Sequence, residues 1–277
     1  MKNIAILFVL VGSLLTISCN QWEKELSLPP TNKPTSGRVV LMEDFTGASC
    51  VNCPAGTAVV DGLLEEFPDN LVVVAVHSNF LSTPAVSGEV KLSNPDAQAI
   101  ENYLGGWTGK PEASINRYKF PNKDYIRLDK PDTWRLFLKS ELDQKPIIEL
   151  SINRSYDSIS RNLQIELIAT PKQNISENLH FHVMLTESGI VASQKDQQVG
   201  IISNYTFNHV LRKLITPVPG EKITGPFFAG TAINKIYSFT VPQDNILWHD
   251  NHLSIVAYVS ADESSKYIYQ AAETSVK

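Results

Sequence analysis

An α/β portion over residues 38–144 followed by an all-β portion over residues 145–277 is the fold class that this sequence predicts. Three observations carry the prediction. Before Lys145-Pro146, β-branched runs alternate with stretches of helical spacing. After it, about seven short strand-like segments with turn residues between them fill the chain, and no long helical pattern appears. The length also exceeds what one small core usually needs, which favours two domains.

In the first portion, Arg38–Phe45 reads as a strand that ends at Thr46-Gly47. Val59, Val60, Leu63, Leu64 and Phe67 place an apolar stripe on a helix from Thr57 to Phe67, stopped by Pro68. Leu71–Val76 is a continuous apolar run, the pattern of a strand covered on both faces. Ser93–Leu104 is punctuated as a helix: Asn94 caps it, Pro95 suits the first turn and Gly105 ends it. A short strand is expected over Ala113–Arg117, and a last helix over Asp132–Leu142 with Trp134, Phe137 and Leu138 on its apolar side.

In the second portion the strand candidates are Ile147–Ile152, Leu163–Ala169, Leu179–Thr186, Tyr205–Leu214, Lys235–Val241, Leu253–Ser260 and Tyr267–Thr274. Asp157-Ser158, Pro171, Gly189, Pro219-Gly220 and Asp262-Glu263 supply the turns. Strands at this density predict an immunoglobulin-like β-sandwich.

The chain opens with Lys2 and an uncharged run from Ile4 to Leu15, then Thr16-Ile17-Ser18 before Cys19. A basic start, a short apolar run and a small residue describe a secretory signal over residues 1–18. The run is shorter than the roughly 20 apolar residues that a membrane-spanning helix needs. Cys19 directly after the small residue resembles a lipobox, which implies a lipid on the thiol and a membrane as partner. The alternative is an ordinary cleaved signal with an incidental cysteine. Residues 19–37 hold Pro29, Pro30 and Pro34 among Thr, Ser and Asn, the composition of a semi-extended tether. The formal net charge of −5 becomes −6 without the leader, which holds Lys2 and no acid. A mildly acidic chain of this kind, without basic runs, has no footprint for nucleic acid. A hydrophobic share of 43% argues against disorder.

Besides Cys19 the chain has two cysteines, paired as Cys50-Val51-Asn52-Cys53 between the first strand and the first helix. A thiolate at a helix N-terminus faces unpaired N–H groups and the positive end of the dipole, which lower its pKa. A second thiol three residues on can close a disulfide after the first attacks. In an exported protein the same pair could instead be a permanent staple.

The stretch from Glu43-Asp44-Phe45 to Cys53 resembles thioredoxin. The resemblance implies Cys50 as attacking thiol, Cys53 as resolving thiol and Asp44 as the acid that moves the proton of Cys53. It also places Pro111, in Gly109-Lys110-Pro111, where that fold carries a cis-proline beside the dithiol. The chain departs from the pattern: Ser49 stands in place of tryptophan, Val51-Asn52 in place of Gly-Pro, and Pro54 follows directly. An insert from Phe80 to about Pro95 is expected to overhang the site.

More widely, the mature chain resembles the twenty-eight-kilodalton outer-membrane lipoprotein family of Gram-negative bacteria. Glu43–Gly47 with the cysteine pair and Pro54, then Pro111–Arg117, Leu185-Thr186-Glu187, Asn208–Arg212 and Tyr267–Thr274 carry this resemblance. It implies a thioredoxin-like domain followed by a β-sandwich, lipid-anchored to the outer membrane on the cell surface or facing the periplasm. It also suggests a surface adhesin or receptor role that no motif in the chain encodes.

Other candidates have plainer readings. His180 with His182, and His249 with His252, lack carboxylates or thiols at ligand spacing, so no metal is expected. His77 ends a buried strand, where it would be hydrogen-bonded or would assist proton transfer. Trp107 would line a peptide groove or pack under its loop. Asp157-Ser158-Ile159 has the Asp-Ser/Thr-apolar pattern of bacterial O-glycosylation. No cofactor motif is read. Two functions stay open: thiol–disulfide exchange on exported proteins, or a binding lipoprotein in which the pair is structural.

Overall fold

The computed structural model describes residues 37–106, 108–244 and 246–277. Cys19 and Trp107, and with them the leader and most of the tether, lie outside the described residues. The first elements are β1 (Val40–Phe45), α1 (Cys53–Glu66), β2 (Leu71–Val76), α2 (Pro95–Tyr103), β3 (Glu112–Ile115), β4 (Arg127–Leu128) and α3 (Pro131–Leu142). Strands follow: β5 (Ile148–Asp157), β6 (Asn162–Pro171), β7 (Leu179–Glu187), β8 (Ile190–Asp196), β9 (Gly200–Phe207), β10 (Val210–Leu214), β11 (Glu221–Ile223), β12 (Ile233–Thr240), β13 (Leu253–Ser260) and β14 (Ile268–Ser275). The described fold is thus mostly β, with one mixed sheet and two separate smaller ones.

The main sheet has nine strands in the order β14-β13-β7-β10-β2-β1-β3-β4, with β11 also on β7. β1 and β2 run parallel and β3 antiparallel to β1. β12-β6-β5 form a three-stranded sheet and β8-β9 a hairpin of their own.

Alternation along the strands explains why the main sheet is covered on both faces. Val40 and Met42 of β1 pack with Val60 and Leu63 of α1 and with Trp134 and Leu138 of α3. Leu41 and Phe45 point the other way and join Ala97 and Ile100 of α2. The same split continues in β7 and β13. Phe181, Val183, Ile255 and Ala257 meet Ile165 and Leu167 of β6, while Met184, Val256 and Tyr258 join the cluster under α2.

Sequence and structure differ most at one place. Tyr205–Leu214 was expected to be a single strand, but the chain turns at Asn208-His209, where His209 takes a φ of 56°. The part before the turn becomes β9. The part after it, β10, enters the main sheet between β2 and β7, with Val210 opposite Ala75 and the Ala75 amide bonded to the His209 carbonyl at 2.8 Å. The elements do change character near residue 145, as expected. Yet β10, β7, β13 and β14 extend the sheet begun by β1 and β2, and all described residues fall in one compact unit. The expected boundary between 38–144 and 145–277 therefore marks a change of element type within a shared sheet. Strand pairing across it, which no local pattern encodes, joins the two portions.

Candidate functional site

Cys50 follows the turn after β1, and Cys53 is the first residue of α1, with Pro54 in the first turn. Proline is at home there because the first helical N–H groups have no intrahelical partner. The helix begins four residues earlier than the apolar stripe predicted, which puts the second sulfur directly at its N-terminus. The two cysteines form a disulfide with S–S 2.06 Å and Cα–Cα 5.4 Å.

Both residues are buried, Cys50 at 2% and Cys53 at 1% exposure, although Val51 between them is 43% exposed. Much of the cover comes from the β8–β9 hairpin, which sequence reading missed. The Lys195 amide donates to the Ala48 carbonyl at 2.9 Å, and the Gln197 amide to the Val51 carbonyl at 3.0 Å. The buried Gln194 side chain donates to the carbonyls of Cys50 (2.9 Å) and Gly47 (3.3 Å). The insert after β2 also reaches the cysteine loop. Ser49 donates its amide to the Leu81 carbonyl at 3.0 Å, and Thr83 Oγ1 donates to Ser49 Oγ at 3.1 Å. Gly47 has to be glycine under this insert, because a Cβ there would lie 2.1 Å from the Leu81 carbonyl oxygen. Ser193 ties hairpin to insert through its amide and hydroxyl, which bond Glu89 at 3.0 and 2.7 Å.

Pro111 lies against the other side of α1. Its peptide bond with Lys110 is cis, and its ring sits so near Gly56 that a Cβ on that glycine would be 2.8 Å away. Gly56 is three residues after Cys53, so Pro111 borders the first turns of the cysteine helix. Asn52 and Ala55 join Gly109, Lys110, Pro111 and Tyr125 in lining a groove of about 860 Å³.

Asp44, on β1, is 3% exposed, and among the described residues its Oδ1 has no hydrogen-bond partner. It lines a small cavity of about 30 Å³ with Thr57, Val60 and Asp61 of α1, His77 and Tyr205. Thr57 is one helical turn beyond Cys53 on the same face. The cavity has room for one or two waters. Burial pushes the Asp44 carboxyl up to about 7, against the opposing pull of Lys110. Burial likewise drives His77 down to about 3, with the positive charges of Lys110 and Arg212 adding to the effect. Lys110 is itself lowered by burial to about 8. Its Nζ donates to the carbonyls of Thr46 (2.8 Å) and Phe80 (2.7 Å) and to Ser78 Oγ (2.8 Å), and Ser78 in turn bonds Glu101.

Of the expected residues, the fold joins Cys50 to Cys53, brings Pro111 to their helix, and sets Asp44 and His77 on one cavity. Lys110 and Gln194 were missed. Lys110 stands beside Pro111 in sequence, but only the fold shows its ammonium turned inward. The first histidine pair serves packing: His182 bonds Ser260 Oγ at 2.9 Å and stacks on Tyr258, and His180 bonds the Pro219 carbonyl at 2.7 Å, whereas His249 and His252 are exposed.

A family model described as outer membrane protein Omp28 matches residues 97–277, more than half of the chain, a stretch that begins well after the cysteine pair. Among solved structures, HBP35 of Porphyromonas gingivalis is similar with a TM-score of 0.66 at 15% identity, over 88% of this chain and 77% of that one. Protein AGR_C_4864 from Agrobacterium tumefaciens is similar with a TM-score of 0.50 at 12% identity, over 87% and 96%. At such identities the likeness is one of fold. No curated protein matches the chain.

Proposed function

The chain belongs to the Omp28 outer-membrane protein family, and from that premise we propose that it is a lipid-anchored envelope protein that exchanges disulfides with exported polypeptides. In this reading Cys19 carries the lipid and residues 19–37 are the tether. The portion from β1 to α3 is thioredoxin-like, and the strands that follow are an immunoglobulin-like sandwich. A thiolate of the exported chain attacks Cys50, forming a mixed disulfide and releasing the Cys53 sulfur with its electron pair. A second substrate thiolate then releases the product disulfide, leaving the pair reduced. The reverse sequence reduces a substrate disulfide.

The observation that carries the reading is Asp44. A buried carboxyl with an unbonded oxygen is destabilising, and a permanent disulfide has no use for it. A redox pair does, because the Cys53 sulfur gains or loses a proton in each cycle. With a pKa of about 7, Asp44 can serve as donor or acceptor near neutral pH. The approach of Asp44 and Thr57 to one cavity supports a path through water along that face of α1. The groove beside Pro111 suits an extended peptide.

A second reading, a surface adhesin or receptor-type binding protein with a structural disulfide, is favoured by the burial of both sulfurs under the hairpin. Trapping separates the two. Exchange predicts that the Cys53→Ala variant accumulates mixed disulfides with envelope proteins through Cys50, and that Cys50→Ala accumulates far fewer. Capture by neither variant, or equally by both, contradicts exchange.

A further inference from the structure

The tip of the β5–β6 hairpin displays a triplet whose middle hydroxyl the fold does not use. The hairpin turns through residues 158–161 between the paired Asp157 and Asn162. The neighbours of Ser158 and Ile159 supply the turn chemistry. Asp157 Oδ1 accepts the amide of Ile159 at 2.9 Å, and Oδ2 accepts the Ser160 hydroxyl at 2.8 Å. Ser160 thereby holds the Asp157 carboxyl below the ordinary range, so it stays ionised. Arg161, with φ 55°, donates to the carbonyls of Val241, Pro242 and Trp248.

Ser158 is exposed, and none of the described residues hydrogen-bonds its hydroxyl. Ile159 is 95% exposed. A β-branched apolar residue has no conformational merit in a turn, where Gly, Asn, Asp and Ser are preferred. The hairpin therefore presents a fixed carboxylate, an unengaged hydroxyl and a bare apolar side chain in a row. From this display and the Asp-Ser-apolar pattern we propose that Ser158 is an O-glycosylation site. The chain contains its own comparison. Asp132-Thr133 is the other Asp followed by Ser or Thr, but Thr133 Oγ1 donates to the Lys130 carbonyl at 2.7 Å and the next residue, Trp134, is fully buried.

The modification is a substitution without redox change. Ser158 Oγ bonds to C1 of a sugar carried on a polyprenyl-pyrophosphate type of donor, and the bond from C1 to the phosphate oxygen breaks. The pyrophosphate departs with that electron pair, and a base of the transferase takes the serine proton.

The test is intact mass and electron-transfer fragmentation of the full protein isolated from its own bacterium. Wild type is expected to carry glycan mass on Ser158. Ser158→Thr should keep it, Ser158→Ala should lose it, and Asp157→Asn should lose most of it. Made in a host without the transferase, Ser158→Ala should unfold at the same temperature as wild type made there, which rules out misfolding as the cause of loss. Unmodified Ser158 throughout the wild-type protein, or the same added mass on Ser158→Ala, overturns the proposal.

Discussion

Arg117→Met is expected to lower stability by about 3–5 kcal/mol, because it leaves a buried carboxylate without its cation. Glu43 and Arg117 are 0% and 1% exposed. The guanidinium grips the carboxylate with Nη2 at 2.6 Å from Oε1 and Nε at 3.1 Å from Oε2, while Ser114 Oγ donates to Oε2 at 2.7 Å. Arg117 also lies over the rings of Tyr103 and Tyr258, at 5.6 and 5.2 Å. It thus links β1 and α2 to β13, from either side of residue 145. At about 2–4 °C per kcal/mol for a chain of this size, the melting temperature should fall by roughly 6–20 °C. Replacing both partners by apolar residues (Arg117→Met with Glu43→Leu) should recover most of the loss, since neither charge is then stranded. Thermal unfolding of the single and double variants checks this. A loss below about 1 kcal/mol for the single variant would mean that Glu43 is not isolated from water.

The second large effect is a pH dependence that two neighbours hide from each other. Asp44 has a folded pKa of about 7 against an ordinary 3.8. Its raised value favours the fold at low pH, and that contribution is lost as pH rises from about 4 to 7. His77 has a folded pKa of about 3 against 6.5. Its lowered value favours the fold above pH 6.5, and that contribution is lost as pH falls towards 3. At 1.36 kcal/mol per pKa unit each contribution is on the order of 4 kcal/mol, and the signs oppose between about pH 4 and 6.5. Stability attributable to these two groups should therefore be nearly flat there. Asp44→Asn should expose the effect of His77 alone, so that this variant weakens steeply on acidification below about pH 6.5. His77→Gln should expose the acid term and give a protein that strengthens on acidification over the same range. Denaturant unfolding at several pH values reads both slopes. Parallel slopes for the two variants would show that these groups are not both buried as described.

Much of this fold could be read locally. Asn94 does cap α2 by accepting the Ala97 amide at 2.9 Å, and Leu71–Val76 is covered on both faces as its unbroken run implied. These features depend on near neighbours, so a short stretch of sequence contains the cause. The misses share the opposite property. Ile190–Asp196 was not recognised as a strand because Gln194 and Lys195 satisfy the backbone around the cysteine loop instead of alternating over a core. The break at Asn208-His209 escaped notice because strand-forming residues flank it closely, Tyr205 and Phe207 before and Val210 and Leu211 after, with no Gly or Pro between them. The insertion of β10 beside β2 depends on pairing between residues more than a hundred positions apart. For the site, the sequence located the sulfurs, Asp44 and Pro111. It could not reveal that a hairpin far along the chain, β8–β9, covers the sulfurs.

The reduction potential of the Cys50–Cys53 pair, measured with alkylation of the reduced protein, tests most directly whether these sulfurs form a working couple. Exchange requires a potential above about −300 mV, with Cys50 labelled selectively and its labelling tracking a lowered thiol pKa. A potential below that value, with two sulfurs that resist both reduction and labelling, would make the disulfide a staple and leave only the binding reading.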